Sequence, residues 1–443
     1  MTGYAVDVAI IGGGLGGVAG ALAAARAGAR VVLTEETSWI GGQLTSQAVP
    51  PDEHPWIEQF GSTASYRALR DGIRDYYRRW YPLSQRARDQ RFLNPGSGSV
   101  SAICHEPRVA LAVLDRMLAP YAASGQVTVL TRHVPVAAET DGDRITAVTV
   151  RDLASGGELE LRAPYFLDAT ETGELLPLAG VEYVTGTESH AQTGEPHAPE
   201  VAKPGSMQSF TVCFAMDHLE GEDHTIDRPE QYEFWTSPDA PVRPAPQIGW
   251  HAVAEPGRVL VPNPDPATDA AIVVSASQQG RFSPPPDYKP IEDLWRFRRL
   301  LARANFEPEL PSDVTLVNWP ANDHTYGSIV DVPPAEREAN LHAARQHSLS
   351  LLYWLQTEAP RADGGTGFPG LRPRGDVLGT DDGLAMAPYI REGRRIRAQY
   401  TIVEQDIARS SLGDSPRAPY TDSVGVGSYK IDLHPSTEGG ERM

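Results

Sequence analysis

Cysteine is almost missing: the 443 residues hold two, Cys104 and Cys213, far apart in the chain. Two such thiols make neither a disulfide framework nor the roughly four-thiolate ligand set of an iron–sulfur cluster, so a reducing cytoplasm is the expected setting. Positive charge is also short, 39 Lys and Arg against 58 Asp and Glu, for a net charge of −19. A surface of that sign repels phosphate backbones and anionic lipid, which argues against nucleic-acid and membrane partners. Histidines at metal-ligand spacing are lacking too, since His342 and His347 stand five apart and out of helical register; no metal is expected. Only one apolar run, Val8 to Ala29, approaches the length of a membrane span or an export signal. No Lys or Arg precedes it, Asp7 opens it, Arg26 interrupts it, and glycine fills much of Gly12 to Gly20, which is poor helix material. A folded site explains those residues better.

What is present begins with that run. Val6 to Ile11 reads as a buried strand, Gly16 to Ala27 as a tightly packed helix stopped by Gly28, and Arg30 to Thr34 as a second strand. Between strand and helix, Gly12, Gly14 and Gly17 satisfy G-x-G-x-x-G, and Glu35 ends the second strand. Spacing and context together make this the first half of a Rossmann unit. Gly12 allows the tight turn, Gly14 lets the backbone approach a pyrophosphate, and Gly17 lets helix and strand close up. The helix N-terminus offers unpaired N–H groups to phosphate, and Glu35 can accept hydrogen bonds from a ribose. Gly365 to Gly370 satisfies the same pattern, but it follows no strand and carries Pro369 where a helix would start. It is expected to be a loop, so no second dinucleotide site is expected.

Further along, a helix is expected from Pro107 to Leu118, with proline at a permitted first-turn position. Gln126–Leu130, Val134–Glu139, Ile145–Arg151 and Glu158–Leu161 alternate with period two and predict a three- or four-stranded meander. Proline-rich stretches at 193–206, 238–246, 261–266 and 283–290 mark a region of long loops and short strands. Helical patterning returns at Glu336–Thr357 and Tyr389–Ser410. The fold class expected is α/β with α+β insertions. Its parts are a nucleotide-binding domain with a meander over 1–185, a substrate-covering domain over 186–345, and a helical return over 346–443.

Several runs together resemble the FAD-dependent oxidoreductases related to the flavin subunit of heterodisulfide reductase, over essentially the whole chain. They are Gly41-Gly42-Gln43-Leu44-Thr45, Cys104-His105-Glu106-Pro107-Arg108, Asp168-Ala169-Thr170-Glu171, Asn318-Trp319-Pro320, Tyr353 to Glu358, and Pro388-Tyr389-Ile390-Arg391-Glu392. The resemblance implies FAD as cofactor on a glutathione-reductase-type fold. It implies contacts from Gly12, Gly14, Gly17, Glu35, Gly41, Gly42 and Gln43, with Val134 offering its backbone to the adenine. Leu15, Gly16 and Glu36 beside them, with Ala169 and Thr170 at a strand end, complete the expected set. The chain departs from its iron–sulfur relatives in lacking cysteine clusters. It is also expected to stop short of the family's late glycine-bearing strand and helix, beyond Asp422-Ser423-Val424-Gly425 and Asp432-Leu433-His434-Pro435. Gly375-Asp376 is a candidate substitute, although glycines and aspartates delay the helix expected from Ala387.

For catalysis the candidates are Cys104 and His105, ahead of a helix start, as acid–base groups or a covalent flavin anchor. Against this stands a packed cysteine beside a hydrogen-bonded histidine. Asn318, with Trp319, Asn322, Asp323 and His324, forms a polar cluster around an aromatic, a candidate substrate contact. Arg391, with Arg394 and Arg395 on the expected helix, would hold negative charge at the flavin or a substrate carboxylate, or else form a solvated, salt-bridged face. The expected function is an FAD-dependent oxidoreductase that moves a hydride from a small organic substrate to flavin N5, with oxygen or an external acceptor removing the electrons. The alternatives are a flavin monooxygenase and a truncated homologue that binds FAD weakly.

Overall fold

The computed structural model describes residues 3–240, 247–249, 294–361, 364–415, 418–423 and 432–437. The proline-rich stretches 261–266 and 283–290, most of 238–246, and Val424-Gly425 lie outside them.

The chain starts with β1 (Gly3–Ala5), β2 (Val8–Ile11), α1 (Leu15–Arg26) and β3 (Val31–Glu35). After α2 (Ala64–Trp80), a one-turn α3 (Gln85–Arg88) and α4 (Pro107–Ala123) come β4 (Val127–Thr131), β5 (His133–Asp141), β6 (Arg144–Asp152), β7 (Glu158–Arg162) and β8 (Tyr165–Asp168). Strands β4, β3, β2 and β8 form a parallel sheet in that order. Val8, Ile10, Val31 and Leu33 feed the core on which α1 lays Val18, Ala21, Leu22 and Ala25. Helix α4 starts at a proline, where the missing N–H costs nothing, and its crossover returns the chain parallel to β3.

The run Gln126–Leu130 is therefore not part of the meander. It becomes β4, the outer strand of the parallel sheet, because the crossover from α4 delivers it beside β3, and period two alone cannot say which sheet a strand joins. Arg132, at φ +60°, turns the chain from that sheet into the next. The meander itself is β5–β6–β7, widened by β1, which pairs in parallel with β7.

The second half adds β9 (Tyr183–Val184), β10 (Phe210–Thr211), β11 (Phe214–His218), β12 (Arg299–Leu301), β13 (Val314–Val317), β14 (Asp323–His324), β15 (Leu371–Pro373) and β16 (Arg395–Ile396). β12, β13, β11 and β15 form an antiparallel sheet, so this sheet draws one strand from beyond residue 345. Both of its faces are covered, as the alternation of side chains along a strand permits. Ala215 and Leu316 join the first core. Phe214, Met216 and Val317 join a second core closed by Leu351, Leu352 and Leu355 of the helix Pro334–Thr357.

The helix expected over Tyr389–Ser410 does not form. Residues 384–389 pass beside β10 and β11 through isolated bridges of Leu384 with Phe214 and Tyr389 with Thr211, with Tyr389 N–H donating to Thr211 O at 2.7 Å and Ala385 N–H to Cys213 O at 2.8 Å. β16 then pairs with β9, and among the described residues only the short helices Glu404–Ile407 and Arg409–Leu412 follow. Backbone partners supplied by distant strands override local helical propensity here. Among the described residues, no helix is long and apolar enough to cross a membrane.

Candidate cofactor and active site

The glycine turn is built by close approach. Gly12 has φ +102°, and a Cβ on it would stand 2.2 Å from the Ala169 carbonyl carbon, so the end of β8 presses on the turn. A Cβ on Gly17 would stand 2.1 Å from Gly12 O, which fixes glycine where α1 meets β2. Gly41 N–H donates to Gly13 O at 2.8 Å, and a Cβ on Gly42 would stand 3.0 Å from Gly14 Cα, so the second glycine pair lies against the first. Gly14 caps the N-terminus of α1.

Glu35 ends β3 beside this turn, 7% exposed. Its Oε2 accepts the Gly13 N–H at 3.1 Å, and its Oε1 accepts from the Thr37 N–H and hydroxyl at 2.8 and 2.7 Å. Burial raises the pKa of this carboxyl, against the bonds from Thr37 and Gly13 that favour its charge.

A cavity of about 550 Å³ opens along these residues. Gly12, Gly14, Glu35, Glu36, Val134, Ala169 and Thr170 all line it. Arg132, Thr37, Arg337, Arg345 and Met386 also line it and are not legible in the motif. Thr37 could have been suspected, two residues past the acid and able to fasten it. The two helix arginines carry no sequence signal. Arg337 reaches Glu36 at 3.8 Å and Glu174 at 4.0 Å. A second cavity of about 1170 Å³ lies against Gly14, Leu15, Gly16 and Gln43 and shares Gly14, Ala169, Thr170 and Glu171 with the first. Gln43 Nε2 donates to Pro50 O at 3.2 Å and to Asp52 at 3.1 Å. Gly17, Gly41 and Gly42 support the turn without lining the first cavity.

The catalytic candidates do not converge on these cavities. Cys104 is fully buried, its sulfur against Gly98, and burial pushes its thiol up to about 12. His105 is 2% exposed, with Nδ1 3.2 Å from Glu106 O, and burial takes its imidazole down to about 4. This is the packed arrangement, with a protonated thiol and a neutral ring away from both cavities. Arg391 follows the bridge at Tyr389 in a non-helical stretch and lines a further cavity of about 630 Å³ together with Thr170 and Glu171. Its guanidinium donates to Ser209 O, Thr211 Oγ1, Asn318 Oδ1 and Asp323 Oδ1 at 2.9–3.3 Å, which leaves it committed to a buried network. Asn318 and Arg391 are thus brought together, Asn318 being 2% exposed. Arg394 and Arg395 pair with Asp331 and with Glu392 and Glu188.

What the site can do follows from its shape. A turn in which a Cβ is excluded at Gly12 and Gly17, a helix N-terminus at Gly14 and an acid at the end of β3 fit an adenine dinucleotide. No curated protein sequence matches the chain. Among solved structures it is similar to L-proline dehydrogenase from P. horikoshii (16% identity, TM-score 0.20, 42% of this chain and 24% of that one). It is also similar to a geranylgeranyl bacteriochlorophyll reductase-like protein from Thermoplasma acidophilum (15%, TM-score 0.30, 49% and 48%). A third is glycerol-3-phosphate dehydrogenase from Bacillus halodurans complexed with FAD (12%, TM-score 0.29, 50% and 41%). The match thus spans less than half the length of each. The family model described as FAD dependent oxidoreductase matches residues 7–443, nearly the whole chain, and the protein therefore belongs to the FAD-dependent oxidoreductase family.

Proposed function

We propose that this protein uses FAD to oxidise a small organic substrate by hydride transfer, as a dehydrogenase or oxidase, with oxygen or an external acceptor taking the electrons. When bound, the flavin supplies the hydride acceptor at N5. The chain's own part is to hold and orient. Gly12, whose own N–H is held by Thr34 Oγ1 at 3.2 Å, makes the turn, and Gly14 brings the N–H groups at the start of α1 to the diphosphate. Glu35, already fastened by Gly13 and Thr37, presents its remaining acceptor capacity to the ribose. Val134, in the cavity wall, is placed to offer its backbone to the adenine. The narrower kinship with the flavin subunit of heterodisulfide reductase rests on the six motif runs.

The observation that carries the FAD site is the turn itself, in which strand, glycines, helix and acid are locked together by distances that admit no side chain at Gly12 or Gly17. The second glycine match, Gly365 to Gly370, is a loop. Gly367, at φ +69°, packs on the backbone of Gln356 and Thr357, and the segment forms a bridge-and-turn loop rather than a strand–turn–helix. The test is anaerobic reduction of the FAD-loaded protein by panels of alcohols, amines and hydroxy acids, with NADH and NADPH in parallel. Bleaching by an organic donor supports the proposal. Bleaching by NAD(P)H alone, with labelled oxygen appearing in an organic product, replaces it with a monooxygenase.

A further inference from the structure

Glu171 follows Ala169 and Thr170 at the end of β8. Glycine at position 14 keeps open the space through which a diphosphate approaches the backbone. The heavy atom nearest that space is Glu171 Oε1, 2.9 Å from where a Gly14 Cβ would stand. The same oxygen is also 2.7 Å from the corresponding point of Gly42. One carboxylate oxygen is therefore wedged between the two glycine pairs, at the junction of the two cavities.

The charges around it are mixed. Glu35, Glu36 and Glu174 stand with Arg132, His133, Arg337 and Arg345 in the first cavity, and Asp52, Glu53 and His54 line the second. Glu392, Arg391, Arg394 and Arg395 line a further cavity that Glu171 also borders. Burial in the cavity wall raises the Glu171 pKa first, Gln47 opposes that by hydrogen bonding, and Glu36 raises it further. Glu171 in turn raises the pKa of Glu35. Glu174, on the same loop, also has its pKa raised, by burial and then by Glu36. Of the cations, Arg337 is shared between Glu36 and Glu174, Arg345 pairs with Asp382 and Arg394 with Asp331. Glu171 as a whole residue stays solvent-exposed, so its carboxylate is crowded at a cavity mouth rather than sealed in a core.

We propose that the Glu171 carboxylate and the FAD diphosphate compete for one place, so that Glu171 acts as a pH-dependent brake on cofactor binding. The inference rests on FAD lying along the Gly12–Gly17 turn. For the diphosphate to seat, the carboxylate must swing aside or take a proton. A dianion beside a carboxyl favours the protonated form, so binding takes up a proton above the Glu171 pKa, and affinity rises as pH falls.

The experiment titrates the full chain, freed of flavin, with FAD from about pH 8 to about pH 5.5, following quenching of flavin fluorescence. The wild type is expected to bind several-fold more tightly at the acid end. Glu171→Gln, which keeps the shape and removes the charge, is expected to bind about tenfold more tightly than wild type at the alkaline end and to lose most of the pH dependence. Glu171→Asp, with a shorter reach, should fall between them; circular dichroism checks folding of each variant. A wild-type affinity that does not change with pH, or a Gln variant no tighter than wild type, overturns the brake while leaving the FAD site in place. If the Gln variant does not fold, the wild-type profile and the Asp variant decide by the same criteria. If no form binds FAD at any pH, the placement of FAD on this turn falls as well.

Discussion

His434 Nδ1 lies 2.6 Å from Asp323 Oδ2, a contact that crosses 111 positions of sequence. Asp323 is 1% exposed, and its other oxygen accepts from Thr211 Oγ1 at 2.6 Å and Arg391 Nη2 at 3.0 Å. Burial opposes ionisation of this carboxyl, but Arg391, then His434 and Thr211, outweigh it and hold the carboxyl well below the usual range. One carboxylate thus gathers β10, β14, the non-helical stretch after Pro388 and the peptide 432–437.

Replacing that charge should be costly. Asp323→Asn leaves Arg391 buried without its counter-ion, for which about 3–5 kcal/mol of destabilisation is expected. His434→Ala, removing the more exposed partner, should cost less. Urea unfolding of both variants measures the two values; equal, small losses would mean that Arg391 does not depend on Asp323.

Acid should act on the same region by two routes. Asp323 ionises more readily folded than unfolded, so its contribution is in place above about pH 3.9 and is lost as pH falls through the lower folded value. His324 and His347 are fully buried, and burial lowers their pKa to about 4 and about 3. Between about pH 6.5 and those values the unfolded chain holds the extra protons, so stability should fall with pH by about 1.4 kcal/mol per unit for each histidine. Unfolding midpoints recorded across this range should flatten in His324→Phe, and an unchanged slope would remove His324 from the account.

At the glycine turn, Gly14→Asp is expected to abolish FAD binding in a chain that still folds, since it adds bulk and negative charge where Glu171 Oε1 already crowds. Gly17→Ala is expected to be worse for folding, because its Cβ meets Gly12 O, a backbone atom of the turn itself. Flavin absorbance after desalting, with circular dichroism alongside, separates the two effects. Yellow protein from Gly14→Asp at wild-type stoichiometry would contradict the site.

The two thiols should be inert while the chain is folded. Cys104 and Cys213 are fully buried, and burial pushes each up to about 12, so the reactive thiolate is scarce at neutral pH. Alkylation followed by mass spectrometry should label neither until denaturant is added. Cys104→Ser should keep FAD bound; rapid native labelling of Cys104 would restore it as a candidate for chemistry.

The nucleotide half was legible because its signals are local. Glycines at fixed offsets, an acid at a strand end and a proline at a helix start each act within a few residues, and β2, α1, β3 and α4 stand where those signals put them. The misreadings came where partners are distant. Gln126–Leu130 looks like its neighbours but is claimed by β3, and Tyr389–Ser410 has helical composition but finds its backbone partners on Thr211 and Val184. The arginines that line the cavity from the helix Pro334–Thr357 were unreadable for the same reason, since their partners, Glu36 for Arg337 and Asp382 for Arg345, are distant in sequence.

The wall of the first cavity runs from Gly12 to Ile390, and Ala387 N–H closes onto Ser46 O at 3.1 Å across most of the chain. During synthesis, the glycine turn leaves the ribosome well before the segment 385–390 that faces it. The adenosine half of the site can therefore form before its opposite wall exists, and the cavity is complete only after residues 385–390 have been made. Cofactor captured by the nascent chain would be held from one side alone until that later segment folds back.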